Sequence, residues 1–186
     1  MSRTSKRADF SDRPVVSGTP PEWADFAEAV LAWSAQQFCQ EGALQGMAFI
    51  GRVGEERIAV VPVDARSEGG KDASAKTIAE AARKTQAGAI LCVLEAWTLR
   101  EDHMRNAEAL IKRYGSLSAM PDAMKDEVLM ASLETTAGMW VARANIFRDD
   151  RAHGVKIGHF RFEFMPGTIG RFTHLLPGGS ASAPLH

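Results

Sequence analysis

The chain predicts an α+β fold: one domain, with a mostly antiparallel mixed sheet of about six strands and helices packed mainly on one face. Three observations carry that expectation. β-prone runs fall into hairpin-like neighbours, amphipathic stretches separate them, and one apolar run in the middle is long enough for a central strand. The expected order is α-β-β-α-β-α-β-β-β-α, filling residues 21–177 between a basic tail at 1–20 and a small, polar tail at 178–186.

The first helix spans 21–41. Pro21 suits a first turn, Glu22 and Asp25 complement the positive end of the dipole, and Gly42 stops it. Trp23, Phe26, Val30, Trp33 and Phe38 form a nearly single apolar stripe, which predicts burial against the sheet. Met47–Val53 and Ile58–Val63 read as a hairpin closed by Gly54-Glu55-Glu56-Arg57. Pro62 has no ladder donor, so the second of these strands belongs at an edge. A polar loop at 64–72 leads to a helix over 73–87, capped by Asp72 or Ser74 and stopped by Gly88.

Ala89–Leu99, AILCVLEAWTL, is apolar on both faces and predicts a central strand. A surface helix follows over 100–114, then a loop at 116–126. Val128–Thr135, Met139–Phe147 and Lys156–Phe164 form a meander, and Thr168 starts a short last helix carrying Ile169, Phe172, Leu175 and Leu176.

Lys and Arg number 22 against 23 Asp and Glu, which argues against a whole-molecule grip on nucleic acid or anionic lipid. No apolar run approaches the ~20 residues that span a bilayer, so no membrane association is expected. Two cysteines, Cys39 and Cys92, make no disulfide framework and suggest a reducing, cytoplasmic setting. Both sit in apolar surroundings and read as small buried hydrophobes.

Local motifs for chemistry are weak. Gly69-Gly70-Lys71-Asp72 lacks the leading glycine and the hydroxyl of a phosphate-binding loop. His103, His153, His159, His174 and His186 show no metal-ligand spacing, and no nucleophile elbow occurs. No metal or cofactor is expected. Glu95 stands out as a carboxylate on an apolar strand face, which requires a partner such as an arginine from a neighbouring strand, or a raised pKa.

The meander carries the most informative constellation. A hairpin closed at Thr136-Ala137 sets Glu134 opposite Met139, Ser132 opposite Val141 and Met130 opposite Arg143. With Phe160, Phe162 and Phe164 turned to the core, the other face collects Glu134, Arg143, Asn145, His159, Arg161 and Glu163. The 143–171 stretch holds six basic against three acidic residues, so this face is locally basic. The leading expectation is a non-catalytic binding or regulatory protein that docks an acidic protein surface there, and the exposed apolar residues of 100–126 suggest a homodimer. The alternative is a small hydrolase or acid–base enzyme with a site near Glu95, Glu134 and His159. Nucleic-acid binding through the basic arm and the 143–171 patch ranks last.

Overall fold

Pairing of three long strands, β4 (Ala89–Leu99), β5 (Lys125–Thr135) and β6 (Gly138–Asp149), forms the spine of the molecule. The computed structural model describes residues 14–52, 54–55, 57–149, 154–167 and 172–177. Most of the basic arm, the C-terminal tail from 178, Thr168 and Ile169 lie outside the described residues. β1 is Val16–Ser17, α1 is Ala24–Glu41, β2 is Met47–Gly51, β3 is Ala59–Pro62 and α2 is Glu68–Thr85. α3 is Ala107–Tyr114, β7 is Gly154–Ile157, β8 is Phe160–Arg161 and β9 is Glu163–Phe164. Seven strands make one mostly antiparallel sheet in the order β3-β2-β4-β5-β6-β7, with β9 also on β6, while β1 and β8 form a parallel pair. The class is α+β, as expected.

Strand alternation explains the layering. In β4, Leu91 and Val93 turn to one face and join Leu129, Leu133, Ala144, Phe160 and Phe162 beneath α1, which supplies Leu31 and Phe38, with Trp23 added from the 3-10 turn Pro21–Trp23 just before it. Ile90 and Cys92 turn to the other face and meet Ile78 and Ala82 of α2. The two long helices therefore cover opposite faces, where one covered face was expected. β4 is two-sided because each half of its alternation has its own helix.

Local chemistry accounts for the shifted boundaries. α2 begins at Glu68, four to six residues before the expected caps, because the Ser67 hydroxyl accepts the Gly70 amide at 3.0 Å. Gly69 and Gly70, expected in the polar loop at 64–72, therefore lie in the first turn of α2, where a Cβ at Gly70 would strike the Asp64 carboxylate. The helix ends on Gln86 in the left-handed region (φ 50°), two residues before Gly88. The expected strand at 156–164 is three short pieces. Gly158 donates to the Asn145 carbonyl, and the chain then leaves β6 so that Phe160 and Phe162 bond to Val15 and Ser17. Part of the segment expected as a tail is thus a strand, since β1 belongs to the packed structure. Residues 172–177 are irregular, not the expected helix. The 100–114 helix opens as a 3-10 turn at Glu101–Asn106 before α3, and it has no buried residue.

Candidate functional site

The hairpin register is as the turn chemistry implied: Glu134 faces Met139, Ser132 faces Val141 and Met130 faces Arg143. Arg143, Asn145 and Phe147 consequently alternate outward on the α2 side of β6, and all three are exposed. Phe160 and Phe162 are buried with the α1 core, so His159 and Arg161 face away from it and are exposed, as is Glu163 opposite Val141. Phe164 breaks the stripe. It is 51% exposed and rests on Trp140, with ring centroids 5.0 Å apart.

Glu134 does not share that solvent-open surface. It is 6% exposed, and its two oxygens accept the Leu175 and Leu176 amides, each at 3.1 Å. Two successive amides satisfy the buried carboxylate, and Leu176 then packs on Ile90 and Cys92. Glu134 is a clasp for the C-terminal segment. Burial, the nearby Glu134 charge and, in opposition, a hydrogen bond with Ser132 leave the Cys92 thiol pushed up to about 12. Burial also raises Cys39, whose Sγ donates to the Val155 carbonyl at 3.3 Å. Neither is a ready nucleophile.

Arginines on the sheet divide into two kinds. Arg148 grips Glu127 with two bonds, Nε to Oε2 at 2.7 Å and Nη2 to Oε1 at 2.6 Å. Arg100 meets Asp126 at 3.0 Å. Arg143 instead reaches across β5 to a neutral hydroxyl, Thr98 Oγ1, at 3.3 Å. Among the described residues, neither Arg143 nor Arg161 meets a carboxylate within ion-pair distance.

The opposite face holds a second polar cluster, next to the end of α1. Glu95, on β4, is hydrogen-bonded to Glu127 of β5, and its Oε2 accepts the Leu44 amide at 3.2 Å. Burial of the carboxyl end, then the neighbouring Glu127, raises the Glu95 pKa, against the lowering effect of the Leu44 amide and Arg148. Glu127 is held below the usual carboxylate range, first by its bond to Arg148. Arg148 also donates to the Gly42 carbonyl at 3.3 Å and lies over the Phe38 ring. Beside this cluster, the Lys125 ammonium sits 4.4 Å from the centroid of Trp97, which is 40% exposed. The expected arginine partner of Glu95 thus comes from β6, two strands away, and acts mainly through Glu127.

Glu95 and Glu134 point to opposite faces and lie five positions apart along paired strands, so they do not converge with His159 on one centre. Groups of three or more His, Cys, Asp and Glu suited to a metal do not occur among the described residues, and none of their helices is long and apolar enough to cross a membrane. No protein-family model, no curated protein and no solved structure matches this chain.

Proposed function

We propose that the protein acts by binding, without chemistry of its own, and that an acidic protein surface docks on the exposed face of β6 to β9. The observation that carries this reading is the contrast among the arginines. Arg148 and Arg100 are engaged by carboxylates, whereas Arg143 and Arg161 are exposed and no described carboxylate meets them. A guanidinium on a hydrogen-bonded sheet has a fixed base, and its planar fork pairs with carboxylates in two parallel bonds. Asn145 adds a neutral donor and acceptor, His159 and Glu163 frame the surface, and Phe147, 54% exposed, supplies apolar contact.

The test is retention on immobilised polyglutamate, compared with heparin and duplex DNA. Reversing both charges, Arg143→Glu with Arg161→Glu, should weaken retention on polyglutamate at least ~10-fold, equivalent to ~1.4 kcal/mol. Melting should be nearly unchanged, because both side chains are exposed. Retention unaffected by the reversal would overturn the reading. Tighter, salt-sensitive retention on DNA than on polyglutamate would transfer it to nucleic acid.

A further inference from the structure

Among the described residues, one edge of the main sheet is open. β3 pairs with β2, and among the described residues no backbone group meets its outer side. Which of its groups point outward follows from one bond: the Val63 amide donates to the Gly46 carbonyl at 2.7 Å. Antiparallel ladders alternate between bonded and non-bonded pairs. Val61 and Ala59 therefore bond inward, to Ala48 and Ile50, while Val60 and Pro62 turn their backbone groups outward. The donor that Pro62 lacks is one the β2 ladder does not need.

The flank of this edge is apolar. Val60 lies opposite Phe49, on the α1 side of the sheet, and is 50% exposed. Trp33 leans on Phe49 with centroids 5.7 Å apart, yet is itself 39% exposed, although its place in the helical stripe predicts burial. Ile58, just before the strand, is also 39% exposed. The strand's other face is closed, because Val61 and Val63 pack with Ile78 of α2.

We infer that a second copy of this chain pairs antiparallel with β3, about a twofold axis at Val60. The pattern complements itself. Val60 and the partner's Val60 can exchange both of their outward bonds, and each Ile58 amide can reach the carbonyl of the partner's Pro62. The proline in this arrangement withholds only the bond that the other copy's Ile58 carbonyl would accept. Charge selects the direction. Arg57 precedes the strand and Asp64 follows it, both exposed, so antiparallel copies bring opposite charges together and parallel copies bring like charges together. Val60, Ile58 and Trp33 from the two copies then form one apolar strip. A four-residue strand makes a small contact, so the pair is concentration-dependent.

Sedimentation equilibrium and residue-resolved amide exchange test this directly. The wild type should shift with concentration from 20.2 kDa toward twice that mass, with the Val60 amide gaining at least ~10-fold protection as it does so. Val60→Asp sets two carboxylates face to face and should hold the chain monomeric, while its melting in dilute solution stays close to wild type. Arg57→Glu, which lies outside the strand, should weaken pairing several-fold at low salt. A wild type that remains monomeric at high concentration overturns the inference. So does a dimer that survives Val60→Asp, or a wild-type dimer whose Val60 amide stays unprotected.

Discussion

Two carboxyl groups that share one arginine cannot both be comfortable as anions. Arg148 makes its bidentate grip on Glu127, and Glu95 is left beside that carboxylate with only the Leu44 amide and a more distant share of the cation. The pH dependence of each follows from its direction of shift. A raised native pKa means that Glu95 stabilises the fold fully below its unfolded value of about 4.3, and that this is lost as pH climbs through the native value. Glu127, with a lowered native pKa, contributes above about 4.3 and loses its contribution as pH falls through the lower value. Glu95→Gln keeps a carbonyl for Leu44 and a donor for Glu127 without the charge. Its melting temperature relative to wild type should therefore rise between about pH 5 and pH 8, measured by thermal scans. A parallel pair of profiles would contradict this. Glu127→Gln should cost about 1 kcal/mol at neutral pH, at the low end because the Arg148 side chain is 44% exposed. At the cysteines, the burial that lifts the thiols predicts that an alkylating reagent at neutral pH labels Cys92 only after denaturant is added. Glu95 was visible in sequence as a charge on an apolar strand. Its partners were not, because Glu127 and Arg148 each fall one residue outside the expected ends of their strands. Carrying the Thr136-Ala137 register outward would have set them diagonally across the ladder.

Among the elements, those whose boundaries depend on their own residues were the most legible. The α1 stripe, its Gly42 stop, the β2–β3 hairpin with its edge proline and the β5–β6 register all follow from spacing and turn chemistry. Elements set by distant partners were not. Trp33 sits at the margin of a helix whose buried face is narrower than its apolar stripe, and the start of α2 depends on a serine cap that competes with several polar neighbours. Ser67→Ala should cost about 1 kcal/mol in urea titration. β1 was hidden for the same reason, since two residues carry no periodic signal. Its anchor is tight: Gly18 has φ 77°, and a Cβ there would drive into the Phe162 carbonyl. Gly18→Ala should destabilise by about 1–3 kcal/mol and make the chain near Val16 sensitive to protease. Wild-type stability in that variant would show that β1 is held elsewhere.

For the whole molecule, the sheet is a partition between two apolar clusters, one beneath α1 and one beneath α2. Conservative truncations on opposite sides should act independently. Ile78→Val and Ile146→Val are each expected to cost about 0.5–1.5 kcal/mol, and the double variant should equal their sum within about 0.5 kcal/mol in urea denaturation. A larger discrepancy would mean that strain passes through the strands. The same layout governs how the fold is reached. The β4, β5 and β6 ladder joins neighbours in the chain, although the 100–124 excursion lengthens one of its loops. Pairing β1 with β8, by contrast, must bring together segments near opposite ends of the described chain. That closure carries the greater loop entropy and gains only a two-residue strand at first. Assembly should therefore run outward from the spine, with the joining of the ends as the late, slow step, and Phe160 and Phe162 unshielded on one side until it occurs.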